Sequence, residues 1–170
     1  MKKFSILFSL IAFFTVASIT VKAQVTATAT ATGTIVTPIA ITNSGDMNFG
    51  NVAVSASGGT VILAPAGTRT TTGGVTLPAV PGTVTAAHFA ISGTAAYTYS
   101  ITLPTTATTV TSGSDIMTVN AFTSNPGTTG TLSAAGTQTV DVGATLNVAA
   151  GQAAGIYVSG TPFDVTVNYN

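Results

Sequence analysis

Apolar and polar residues alternate with a period of two along most of this chain. Residues 25–32 read VTATATAT, with Val25, Ala27, Ala29 and Ala31 on one parity and threonine on the other. Successive side chains of a strand point to opposite faces, so the alternation predicts half-buried strands. Past Gly33, Ile39 and Ile41 resume the pattern. Asn43-Ser44-Gly45-Asp46 reads as a turn, and Met47, Phe49, Val52 and Val54 share a face. Residues 61–64 and 68–71 flank Pro65-Ala66-Gly67 and read as a hairpin that Gly73-Gly74 breaks. After a proline-bounded connection, Phe89 and Ile91 end one arm and Ser92-Gly93 turns the chain. Tyr97, Tyr99, Ile101 and Leu103 then line the next arm, which Pro104 closes. Met117 and Val119 lie on a strand that ends at Asn125-Pro126-Gly127. Val140 and Val142 lead into Gly143-Ala144, read as a tight turn, and Leu146 and Val148 return. Phe163, Val165, Val167 and Tyr169 form the last strand. About eight to ten short strands at this spacing predict an all-β, immunoglobulin-like antiparallel β-sandwich.

The opening segment is read as a strand, since threonine is β-branched and suits a pleated, half-wet surface. Its register is weakly specified. A slip of two residues replaces alanine by alanine and threonine by threonine, so something else must position it.

The first residues carry the marks of export. Lys2 and Lys3 precede an apolar run over residues 4–19, and Val21-Lys22-Ala23 places short residues before Gln24. The expected organisation is a signal peptide over residues 1–23 and a single β-sandwich domain over residues 24–170, in an extracellular, cell-surface or periplasmic setting. The alternative, a membrane anchor, needs a longer apolar run. The chain has no Cys, so neither a lipid on an N-terminal cysteine nor a disulfide is available.

Charge narrows the chemistry. The chain has four Lys and Arg, four Asp and no Glu. Beyond Lys22 the only basic residue is Arg69, against Asp46, Asp115, Asp141 and Asp164. A chain so poor in cations cannot neutralise phosphates, which excludes nucleic acid as a partner. The one histidine, His88, falls on the parity opposite Phe89 and Ile91 and is expected at the surface. No G-x-S-x-G elbow accompanies it. The aspartates are scattered, and Asp46 and Asp115 sit where turn-forming side chains are ordinary. Calcium would be the metal of choice for such ligands, but no D-x-D-x-D-G loop is present. The glycine pairs at 58–59 and 73–74 lack phosphate-loop spacing and read as turns. Tyr97, Tyr99 and Tyr157 are weighed as a glycan-stacking platform and as sheet or core residues, the latter being the ordinary role. No catalytic, cofactor-binding or metal-ligating residue is assigned, and no cofactor is expected.

The stretches TATATATGTIVTPIAIT, MNFGNV, GGTVILAPAGTRTTTGGVTL, AAHFAISGTAAYTYSITLP and VGATLNVAAGQAAGIYVSGTPFDVTVNYN together resemble the domain-of-unknown-function 4402 family of exported Gram-negative proteins. The resemblance spans residues 24–170 and implies no particular activity. More distantly, MNFG and the closing G-x-Y with V-x-V-x-Y resemble spore-coat-U and chaperone–usher pilin domains, which implies subunits that polymerise by strand donation. This chain departs from many of those in lacking a cysteine pair.

The expected function is therefore an exported structural or adhesive cell-surface protein of the fimbria-like kind, not an enzyme. Its partners would be a second copy joined by β-strand addition, or a surface glycan or host ligand. The alternative is an extracellular glycan- or ligand-binding module using the loops at residues 73–82 and 125–130. An outer-membrane barrel would need strands of about 9–11 residues, longer than most of these.

Overall fold

A computed structural model describes residues 23–170. The reading of residues 1–23 as an export signal lies almost wholly outside them. The described residues contain no helix, and eleven strands build an antiparallel β-sandwich. Ile35–Asn170 forms one compact unit, and residues 23–34 belong to another. Those twelve residues are exposed and make no ladder, which corrects the expectation of an opening strand. The reason lies in their composition. Alanine buries too little area to fix a register that repetition already leaves loose.

The larger sheet has eight strands. Its spine is β9 (Thr137–Val148), a single run of twelve residues. The tight turn expected at Gly143-Ala144 is absent. One edge of β9 changes partner there: β4 (Ala87–Ser92) pairs with residues 137–142, and β2 (Ala53–Leu63) pairs with residues 144–148. On the other edge runs β7 (Asp115–Asn125), where Ala121 and Phe122 oppose the single residue Ala144. Ala121 takes the left-handed conformation, φ 49°, which marks a bulge. The sheet continues outward through β1 (Ala40–Gly45) beside β4 and β3 (Arg69–Thr76) beside β2. On the far side β6 (Thr108–Ser112) lies beside β7, and the two-residue β10 (Val158–Ser159) beside β6. The smaller sheet is β11 (Thr166–Tyr169), β5 (Thr98–Thr102) and β8 (Thr129–Thr131).

The core has two parts. Between the sheets, Phe89, Ile91, Val140 and Val142 meet Tyr99, Ile101, Leu132 and Val167. The parity of β4 and β5 was read correctly, but the two strands do not form a hairpin. They belong to opposite sheets, and residues 93–97 cross between them. The second part gathers Val61, Val75, Val119, Leu146 and Val148, with Met47, Phe49 and Val52 of the β1–β2 connection and Val54 of β2 packed over it. Met47 and Phe122 touch both parts and join them.

The β2–β3 hairpin forms as expected, with Ala64 N donating to Thr68 O at 2.9 Å. However, β3 runs through Gly73-Gly74 to Thr76. The glycine pairs are not turns. Between Val54 and Gly59 of β2, four residues oppose Gly74 alone. A Cβ on Gly59 would lie 2.0 Å from Thr72 O, and one on Gly74 2.0 Å from Ser57 O. Close backbone approach requires glycine here.

Arg69 is spent on structure. Its Nη1 donates to the carbonyls of Phe49 and Asn51, the latter at 2.9 Å, and pins the segment that covers the second core. Beyond Lys22 it is the only residue that trypsin recognises. Native protein is expected to resist trypsin at Arg69, and urea-unfolded protein to be cut there. Gel analysis of the two digests checks this, and rapid cleavage of the native form would contradict the grip described.

Candidate functional site

His88 on β4 and Asp141 on β9 are direct cross-strand partners on the solvent face of the larger sheet. His88 Nδ1 lies 2.6 Å from Asp141 Oδ1. The surface placement expected for His88 holds, since its side chain keeps 42% of its exposure. The pairing with Asp141 was not legible, because it depends on a register between residues 53 apart. A histidine oriented by a carboxylate is two-thirds of a nucleophilic triad. Among the described residues no serine or threonine hydroxyl is bonded to the ring. The residue opposite His88 on its other side is Gly45. The adjacent Ser44 hydroxyl donates to the His88 carbonyl at 3.1 Å, not to the ring.

The other residues singled out for chemistry are dispersed. Asp46 accepts from Asn43 Nδ2 at 2.7 Å within its own turn. Asp115 begins β7, and Asp164 precedes β11. Among the described residues no three His, Cys, Asp or Glu side chains gather to hold a metal. The three tyrosines form no common platform. Tyr99 is fully buried and bonds Gln138 Oε1 at 2.7 Å. Tyr97 packs edge-on against Tyr169 with ring centroids 5.5 Å apart, and Tyr157 donates to Ala153 O at 2.8 Å. The two loops proposed from length shrink, since β3 occupies residues 73–76 and β8 begins at Thr129.

Two other features stand out. The first is the solvent face around His88 and Asp141. Strand parity aims every second side chain outward, and register aligns them across strands. One row runs Thr72, Thr60, Asn147, Thr118 and Thr109 across five strands. A parallel row runs Thr70, Ile62, Thr145 and Asn120. Thr60 and Thr72 share a hydrogen bond of 2.7 Å, and Asn147 Nδ2 donates to Thr118 O at 3.2 Å. These are cross-strand pairs that stiffen the sheet and leave the face around the His88–Asp141 pair rich in uncharged hydroxyls and methyls.

The second feature is an open cleft of about 730 Å³. The smaller sheet opens it. β5 and β11 pair as far as Thr102 and Thr166, then part. Residues 103–107 line one side and residues 160–164 the other, and the Phe163 ring packs against Phe122 with centroids 4.8 Å apart. The last strand was expected to start at Phe163. The ladder starts three residues later because Pro104 ends β5 and leaves no partner. Pro104 and Pro162, one per wall, are the sequence signals that could have marked the cleft.

The family described as Domain of unknown function (DUF4402) matches residues 39–169. No curated protein and no solved structure matches the chain at a significant level.

Proposed function

We propose a mechanical or adhesive role, outside the cell, for this chain, which belongs to the DUF4402 family. The carrying observation is the threonine and asparagine rows on the face of the larger sheet. A broad face of this kind, with the His88–Asp141 pair as its ionisable groups, makes many weak hydrogen bonds and methyl contacts and has little charge to desolvate. That suits contact with an uncharged surface more than capture of an ion or a phosphate. The alternating strands, the basic and apolar start of the sequence and the lack of cysteine fit a protein that is exported and holds together by packing. Among the described residues no helix is long and apolar enough to cross a membrane.

The test is made on cells. The protein should be accessible at the surface to an antibody or an added protease. Thr70→Glu, Thr72→Glu and Thr109→Glu, all at exposed positions, should leave the fold intact by circular dichroism and reduce adherence to uncharged surfaces several-fold. A protein found only in the cytoplasm, or a triple variant that adheres as well as the parent, would defeat the reading.

A further inference from the structure

We propose that the hydroxyls of Tyr169 and Thr94 form a clamp that closes the sandwich against a pull on either chain end, an inference that rests on the mechanical role above and names where the force is carried. Register brings the two ends together. β1 begins at Ala40 opposite Ser92, the last residue of β4, and β11 ends at Tyr169 opposite Tyr99, near the start of β5. Residues 93–97 join β4 to β5. The first strand is therefore entered, and the last one left, at the same end of the sandwich.

Ladders alone resist such a pull poorly. Drawn outward, β1 would open from the Ala40–Ser92 pair inward, and β11 from the Tyr169–Tyr99 pair inward. Each ladder would then give way one pair at a time, and β11 has only four residues to lose. Forced unfolding follows the rate of opening, so whatever holds the first pair sets the resistance.

The clamp sits at both of those points. Tyr169 Oη accepts from Thr94 N at 2.7 Å and donates to Thr37 O at 2.8 Å. Thr37 N donates to Thr94 Oγ1 at 2.9 Å, and that hydroxyl turns back to Thr37 O at 3.3 Å. Three segments far apart in sequence thus share one set of four hydrogen bonds. A pull on Thr37 or on Tyr169 meets them together, ahead of either ladder. Thr94 is itself held from behind. Gly93 N donates to Gly136 O at 2.9 Å, and Tyr97 N to Thr94 O at 3.3 Å. The Tyr97 ring lies edge-on against Tyr169 and keeps the phenol from swinging away. Linked bonds of this kind polarise and support one another, so the set resists more than its members taken singly.

The experiment pulls single molecules of the secreted chain in optical tweezers along two directions. One pair of handles is fixed to the chain ends. The other is fixed to Ala66→Cys and Gly127→Cys, both at exposed positions in a chain without native cysteine. Pulled by its ends, Tyr169→Phe should open about tenfold faster than the parent at a given force, since both bonds of the phenol are gone. Thr94→Val should do likewise, and Thr94→Ser, which keeps the hydroxyl, should behave as the parent. Pulled through positions 66 and 127, the variants should differ far less. Equal opening of parent and variants by the ends would overturn the proposal. So would a loss of the same size in both directions, because the tyrosine would then only add to general stability. If Tyr169→Phe does not fold, the comparison of Thr94→Val with Thr94→Ser decides by the same readings. A direction-dependent loss, in a protein that the surface assays place in the cytoplasm, would sustain this inference and defeat only the role it rests on.

Discussion

Replacing Gly143 by alanine is expected to cost about 3 kcal/mol or more. The new Cβ would lie 2.2 Å from Leu63 O, 2.7 Å from Ala64 C and 2.8 Å from Pro65 N. All three are main-chain atoms, and a main-chain wall cannot rotate aside as a side chain can. Relief requires moving the end of β2 away from β9, and that strains the ladder from Leu63–Ala144 to Gly59–Val148. Val61 and Leu146, both buried, sit in that ladder, so the second core loosens with it. Urea titration reads the effect as a lower midpoint at unchanged slope. Gly127 is the control. Nothing lies within 4 Å of a Cβ built there and its φ is ordinary, so Gly127→Ala should stay within about 0.5 kcal/mol of the parent. Equal midpoints for the two variants would mean that β2 does not end against Gly143.

Tyr99 carries the second large effect. Its ring is fully buried and lies over Gly130, its cross-strand partner on β8. Tyr99→Ala should cost about 3–5 kcal/mol, as for other buried aromatic truncations. Gly130→Ala should also destabilise, because its Cβ would come within 2.4 Å of the Tyr99 ring and hydroxyl. The two losses are not independent. Once the ring is gone the near neighbour left beside an alanine at 130 is Gln138 Oε1, at 2.8 Å the movable end of a side chain, so the double variant should lose clearly less than the sum. Additive losses would show that ring and glycine do not touch.

Burial also pushes the Tyr99 hydroxyl up from its ordinary value. The unfolded chain then loses this proton first, from about pH 10, while the folded chain retains it. Above that pH the folded state holds the extra proton, so stability falls with rising pH until the buried hydroxyl itself ionises. Tyr99→Phe forgoes the bond to Gln138 but removes this slope. Its unfolding midpoint should be lower at pH 7 and fall less steeply above pH 10.

Face was legible in the sequence where sheet partner was not. The alternation of Phe89 with Ile91, Tyr99 with Ile101 and Val140 with Val142 is local, and all six side chains lie inside. Glycine misled the reading of connections, because it signals either a turn or a close approach and the sequence does not say which. Gly143, Gly73 and Gly74 are close approaches within strands. Gly93 does follow a strand end, yet its lack of a side chain makes room for the Tyr169 hydroxyl. A Cβ there would lie 2.2 Å from that oxygen. Tyr169 in turn donates to Thr37 O at 2.8 Å and accepts from Thr94 N at 2.7 Å. The threonine rows and the cleft were hidden for a further reason. Both arise from registers between distant strands, and a run of threonines looks the same whether it faces a neighbour's threonine or water.

The glycine bulge in β2 and β3 bears on solubility. Alternating, uncharged sequences with little proline are the ones that stack into cross-β fibrils, and here like-charge repulsion is nearly absent. The free border of β3 is bent at Gly73, φ 66°, and so offers no long flat template to a neighbouring molecule. Shape takes the part that lysines play on the sheet margins of most soluble proteins. Resistance to aggregation in this protein should therefore be almost indifferent to salt.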